Sequence, residues 1–205
     1  MGWYEDRIFP HLLDWATRPL TPQRRELIAS AHGRVLELGV GTGANLPWYS
    51  EQASEIHGIE PAGALLELAR QQADKCEQPS RFHFHQCGAE SLPFPDQHFD
   101  CVIACLVMCT IPDADAAAAE IYRILKPGGQ LLVLEHVRHQ QPVAASLQSV
   151  LQPVWKPLAC GCHLNRDTAQ TLTRAGLDVS GLRHWQHPSL PRLAGFMLSG
   201  TATRT

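Results

Sequence analysis

Residues 35–49, VLELGVGTGANLPWY, run from an apolar strand into glycines at 39, 41 and 43 and then toward a helix start. Two ligand classes use such a turn. A dinucleotide site needs G-x-G-x-x-G or G-x-G-x-x-A, so that backbone can approach a pyrophosphate and the next helix can pack on the strand. Gly39, Gly41 and Ala44 fit that spacing. An S-adenosylmethionine site needs an acidic residue at the strand end followed by G-x-G-x-G, because its ligand carries an ammonium and a sulfonium but no phosphate. Glu37, Gly39, Gly41 and Gly43 fit that one. The turn by itself leaves both open.

Outward from the turn, apolar runs alternate with helical patterns, which indicates a parallel sheet covered on both faces. Strands are expected at 34–38, 55–60, 81–86, 100–105, 129–136, 177–184 and 193–201, and helices near 45–51, 62–75 and 113–126. In DADAAAAEIYRILKPGG, Asp113 or Asp115 can cap a helix that Pro127, Gly128 and Gly129 close. The proline-rich loop AESLPFPDQHF precedes strand four. Beyond strand five, Val143, Leu147, Val150, Leu151 and Val154 recur at helical spacing, with Pro153 expected to interrupt them. Asn165 is expected to cap a further helix, Asp167 to Ala175. This insertion lies beside the carboxyl ends of the strands, where open α/β sheets bind ligands, and is a candidate lid. Trp3, Tyr4, Ile8, Leu12 and Trp15 mark a second candidate near the amino terminus.

Composition narrows the function classes. The 205 residues carry a net charge of -3 and 44% hydrophobic content, enough for one buried core and without the positive field that draws nucleic acid. No stretch approaches a spanning helix, and the charged amino terminus lacks a signal-peptide core, so a cytoplasmic protein is expected. Seven cysteines, several in apolar runs such as CVIACLVMC, read as buried free thiols. Cys101, Cys105 and Cys109 share helical spacing, but Cys101 reads as strand. Neither Cys160 with Cys162 nor His83 with His85 makes a four-ligand set, and no metal is expected.

A nicotinamide enzyme usually needs a substrate domain, for which the chain has little room. Glu37 would meet a ligand ammonium or, alternatively, backbone N–H groups of the glycine turn. Glu60, ending the second strand in IHGIEP, can accept both hydroxyls of a ribose, which serves either cofactor.

The series ELGVGTGAN, GIEP, CGAESLPFPDQHFDCVIACLVMC and LKPGGQLLVLEH resembles, in that order and spacing, the class I S-adenosylmethionine-dependent methyltransferases, over about residues 33–136. The resemblance implies a Rossmann-like α/β fold with a seven-stranded, mostly parallel sheet, its last strand antiparallel, helices on both faces and a helical lid. It implies one domain over 1–205, with an amino-terminal lid (1–33), a cofactor core (34–136), a lid insertion (137–176) and the last two strands (177–205). It further implies S-adenosylmethionine as cofactor and S-adenosylhomocysteine as product. Glu37, Gly39, Gly41, Gly43 and Asn45 would hold the methionine part, Glu60 and Pro61 the ribose, and Gly88, Ala89 and Glu90 the adenine, with Cys105 and Leu106 packing near the methionine. Many relatives read G-D-A-E where this chain has Cys87, Gly88, Ala89 and Glu90, so the usual aspartate is missing, and Glu90 or backbone is expected to substitute.

LVMC at 106–109, EHV at 135–137, QPVW and GCHLNRD at 161–167 are similar to a subgroup that includes the thiol S-methyltransferases of mammals. The implied acceptor is a small thiol or hydrogen sulfide, with His136 and His163 as catalytic candidates and Cys109, Trp155 and Cys162 at the substrate. A thiol needs no strong base, since its anion forms near neutral pH. Arg166 can pair with Asp167 or hold the lid through backbone carbonyls. The alternatives are N- or C-methylation of a lipid, quinone or other metabolite, arsenite methylation, and a non-catalytic S-adenosylmethionine-binding regulator. Peripheral membrane contact through the aromatic amino terminus is compatible with each.

Overall fold

A computed structural model describes residues 17–205. The expected amino-terminal stripe, Trp3 to Trp15, lies outside them. Seven strands form one sheet: β1 (Gly33–Leu38), β2 (Ala53–Ile59), β3 (Phe82–His85), β4 (Phe99–Cys105), β5 (Leu125–His136), β6 (Leu177–Gln186) and β7 (Phe196–Arg204). Their order is β3-β2-β1-β4-β5-β7-β6, and β7 runs antiparallel to both neighbours. The helices are α1 (Thr21–Ala29), α2 (Gly63–Ala73), α3 (Ala114–Ile124), α4 (Pro142–Leu158) and α5 (Thr168–Arg174).

Strand alternation sends neighbouring side chains to opposite faces, and each face has its own core. Leu36, Val102, Ala104, Leu131 and Val133 pack with Ile121 and Ile124 of α3 and Leu172 of α5. Val35, Cys101, Ile103 and Leu132 pack with Ile28 of α1 and Leu66, Ala69 and Ala73 of α2. That two-sided burial is why these strands are apolar without a break.

Several local expectations are corrected. The helix expected at 45–51 is a single 3-10 turn, Leu46–Trp48. Asp113 caps α3 by accepting from Ala116 N–H, but the helix ends at Ile124, ahead of Pro127. Leu125 is already extended and pairs with Phe99, and a residue before proline, here Lys126, disfavours helical backbone. The cap of α5 is Asp167, which accepts from Gln170 N–H, while Asn165 donates to Ser149 Oγ. The last strand starts at Phe196, because Ala194 and Gly195 both donate back to Pro191 O and turn the chain.

The largest correction concerns α4, which runs unbroken through Pro153 and Pro157. Both prolines are exposed, so the carbonyls they deprive of N–H partners, at Ser149 and Pro153, have water available. The helix is also inverted. Its apolar stripe faces out, with Val143 76%, Val150 73% and Val154 63% exposed, together with Leu147, Leu151 and Leu158. Gln148 faces in, fully buried, donating to Val137 O and Leu193 O and accepting from His139 N–H. No helix among the described residues is long and apolar enough to cross a membrane.

Candidate active site

The glycine turn follows β1 at the carboxyl edge of the sheet, where β1 lies between β2 and β4. Gly39, Gly41 and Gly43 all have positive φ, at 59°, 56° and 81°. Their reasons for lacking a side chain differ. A Cβ at Gly39 would sit 2.4 Å from Val107 Cγ2, and one at Gly43 would sit 3.0 Å from the Ala69 backbone. Those two serve packing. At Gly41 the nearest atom is Gly39 O at 3.9 Å, so the space above it is open.

Glu37 is 1% exposed and accepts from Asn45 Nδ2 at 2.6 Å and Tyr49 Oη at 2.7 Å. Its expected alternative partners, the backbone N–H groups of the turn, do not reach it among these bonds. Asn45 in turn accepts from Arg24 Nη2 at 2.9 Å. Burial raises the Glu37 pKa against the lowering effect of Tyr49, Asn45 and the Arg24 charge. Among the described residues, the bonds to the Glu37 carboxyl come from neutral donors.

Glu60 follows β2 and is the clamp of the turn. One oxygen accepts from Gly41 N–H at 3.2 Å and the other from Ala62 N–H at 3.0 Å. Each oxygen keeps acceptor capacity beyond its one backbone donor. Burial raises its pKa, opposed by these two donors. Pro61 beside it is exposed, and its carbonyl accepts from Gln86. At the expected adenine segment, Ala89 is buried and Glu90 folds toward the start of α3, one oxygen 3.5 Å from Asp113 N–H. The other oxygen would be 2.7 Å from a Cβ at Gly88.

Past β4, the half-buried Leu106 takes φ 58°, unusual for a branched residue, and its N–H donates to Leu134 O. Burial pushes the Cys105 thiol up to about 12 and keeps it neutral. Glu135, fully buried on β5, accepts from Val107 N–H at 2.7 Å and Met108 N–H at 2.8 Å, while its second oxygen has no hydrogen-bond partner among the described residues. Burial raises its pKa to about 7.

One residue further, His136 Nε2 lies 2.9 Å from Cys162 Sγ, to which Trp155 Nε1–H also donates at 3.4 Å. The Cys109 side chain bonds the same sulfur. Cys109, His136 and Cys162 thus present two sulfurs and an imidazole nitrogen within 4.8 Å of one another. The Cys109 bond, assisted by His136 and Trp155, lowers the Cys162 pKa against burial. Burial opposes a charge on His136, but the bond to Cys162 together with the Cys162 and Glu135 charges outweighs it and raises the His136 pKa. His163 stands apart: its N–H donates to Cys109 O, and burial together with the Arg166 and Lys156 charges lowers its ring pKa.

Four of the five residues expected on the catalytic and acceptor side therefore meet. Of their supports, sequence reasoning offered Arg166 on backbone carbonyls as one of two alternatives and missed Gln152. Arg166 reaches past Asp167 to donate to Met108 O and Ile111 O, and Gln152 bridges Leu164 N–H and Cys162 O. A separate cavity of about 540 Å³ includes His139, His187, Arg192 and Phe196 in its lining and lies away from the glycine turn.

Residues 36–133 match the family model described as a methyltransferase domain. The chain is 30% identical over 194 residues to thiol S-methyltransferase TMT1B of Rattus norvegicus, an alignment covering 88% of this chain and 79% of that protein. It is 33% identical over 128 residues to phosphatidylethanolamine N-methyltransferase of Cereibacter sphaeroides, covering 61% of this chain and 63% of the other. An S-adenosylmethionine-dependent methyltransferase of Mesorhizobium loti superposes with a TM-score of 0.69 at 20% identity, over 91% of this chain and 98% of that one, a likeness of fold. The chain belongs to the class I S-adenosylmethionine-dependent methyltransferases, and S-adenosylmethionine is its cofactor.

Proposed function

We propose that this methyltransferase acts on the sulfur of a small thiol or hydrogen sulfide. The observation that carries the reading is the meeting of Cys109, His136, Trp155 and Cys162 beside the carboxyl ends of β4 and β5, with Val107, two residues before Cys109, packed over Gly39 of the glycine turn. Likeness to a thiol S-methyltransferase that extends through residues of the acceptor side supports it.

The turn has features that fit the cofactor: the open space above Gly41, the spare acceptor capacity of Glu60 and the buried carboxyl of Glu37. Bound S-adenosylmethionine supplies an electrophilic methyl group on a sulfonium. Glu60 would hold the ribose hydroxyls, with Pro61 beside it. Glu37 would attract the ammonium from behind Asn45, and Gly88, Ala89 and Glu90 would border the adenine. Cys105, kept neutral, and Leu106 would line the methionine side without competing as nucleophiles. Displacement at a sulfonium requires alignment above all, and holding two reactants in line is worth about 7–11 kcal/mol in the best cases.

On the acceptor side, His136 is favoured over His163, because it alone of the two points its ring at the sulfur cluster. Residues 137–176 would act as a lid, with Arg166 and Gln152 fastening it to the loop after β4 and to itself. The second reading, a lipid or quinone acceptor, is favoured by the exposed apolar face of α4. Mass-spectrometric detection of labelled methyl transfer to thiols, hydrogen sulfide, amines, quinones, phospholipid and arsenite tests both. Turnover of amines or lipids without any thiol would overturn the preferred acceptor, and no turnover at all would favour a regulatory binding module.

A further inference from the structure

Cys109 and Cys162 are 3% and 7% exposed, and each is carried by a loop that polar anchors fix. Glu135 holds the N–H groups of Val107 and Met108, Arg166 holds the carbonyls of Met108 and Ile111, and His163 N–H holds the carbonyl of Cys109 itself. Gln152 donates to Cys162 O, and Cys162 N–H donates to Ala159 O. The two sulfurs and the His136 ring are therefore held in place by anchors from the surrounding backbone and side chains.

Such a set is costly as a plain packing arrangement. Two largely buried sulfurs and an imidazole lie together, and among the described residues one buried ring nitrogen, His136 Nδ1, has no hydrogen-bond partner. As a ligand set the same atoms suit a borderline-soft divalent cation. Two thiolates balance a 2+ charge, and the absence of carboxylates from the trio disfavours magnesium and calcium. A tetrahedral zinc ion lies about 2.3 Å from sulfur and about 2.0 Å from imidazole nitrogen, which spaces its ligands roughly 3.5–3.8 Å apart. These three ligand atoms already lie within 4.8 Å of one another, so small side-chain movements suffice. Trp155 Nε1–H, donating to Cys162 Sγ, supplies the outer hydrogen bond that metal-bound thiolates use. No metal was expected from sequence, because each ligand comes from a different segment.

We propose that Cys109, His136 and Cys162 bind one Zn²⁺ ion through three protein ligands, and that its fourth position takes the acceptor sulfur. The second half rests on the thiol reading above. On coordination the acceptor S–H proton leaves to solvent. The sulfur lone pair then forms the new C–S bond to the methyl group as the sulfonium C–S bond breaks, its electron pair staying on the departing thioether of S-adenosylhomocysteine. The metal stays divalent, and the methylated product, a weaker ligand than a thiolate, departs.

Co²⁺ titration of the full chain, stripped with chelator and kept under a phosphine reductant, provides the test. One equivalent of Co²⁺ should give a thiolate-to-cobalt charge-transfer band and intense tetrahedral visible bands, both abolished by Zn²⁺. Cys109→Ser and Cys162→Ser should each weaken Co²⁺ binding at least tenfold, whereas Cys76→Ser should leave it unchanged. Affinity for S-adenosylhomocysteine, measured on every variant, identifies those that remain folded. Absence of the charge-transfer band in the wild type, or its survival in the Cys109→Ser/Cys162→Ser double variant, overturns the site. A small thiol such as benzenethiol should shift the visible bands. Cobalt binding that thiols neither perturb nor follow with methylation would overturn the role of the fourth position and leave the metal site standing.

Discussion

Replacing Glu60 by alanine separates two duties that the structure gives one carboxylate. Its oxygens already hold Gly41 N–H and Ala62 N–H, and the capacity left over is what the ribose would use. A hydrogen bond to a charged group contributes about 1.5–3 kcal/mol net, so losing one ribose contact should weaken cofactor binding at least tenfold, about 1.4 kcal/mol. Losing both brings the effect toward a hundredfold, about 3 kcal/mol. Calorimetry with S-adenosylhomocysteine and its 2′-deoxy analogue, on wild type and Glu60→Ala, apportions the loss. The analogue should bind the wild type less tightly than the parent, and the substitution should then cost it less than it costs the parent. Thermal unfolding without ligand reports the turn. Binding of S-adenosylhomocysteine by Glu60→Ala within about threefold of wild type would refute the ribose contact. An equal loss for both ligands would show that Glu60 acts only by shaping the turn.

Glu37→Ala should also weaken S-adenosylhomocysteine binding at least about tenfold by calorimetry, since it removes the acceptor proposed for the ligand ammonium. Tyr49→Phe strips one charge-assisted bond from Glu37 and leaves a buried oxygen unpaired; it should cost about 2 kcal/mol in denaturant unfolding, and a loss under about 0.5 kcal/mol would count against that bond. Gly39→Ala introduces a clash with Val107 on top of a left-handed φ and should cost about 3 kcal/mol. In the Gly39→Ala/Val107→Ala double variant at least about 1 kcal/mol of that should return as coupling, and simple additivity would refute the contact.

The strands were legible because a parallel sheet covered on both faces demands long apolar runs, as in VLEL and CVIAC. The Asp113 cap was legible for a local reason as well, a side chain that reaches its own helix. What stayed hidden depends on partners distant in sequence. Periodicity located the stripe of Val143, Leu147, Val150, Leu151 and Val154 but cannot say which side of a helix faces the protein. Here Gln148 and Gln152 take the inner side because loop backbone needs their amides. Glu37 and Glu60, proposed here for the cofactor, could be singled out from their strand ends, yet the grip of Tyr49 on Glu37 could not. Cys109, His136 and Cys162 were each singled out separately. Only the neighbouring placement of β4 and β5, with the α4 loop folded back, joins them.

The contact of Gly39 with Val107 reaches further than the fit of one glycine. Val107 N–H hangs on Glu135, the next residue in the strand is His136, and His136 touches Cys162. Glycine turn and sulfur cluster are thus linked through one short chain of contacts, which predicts that a bulkier residue at Gly39 also shifts the spacing of the sulfurs.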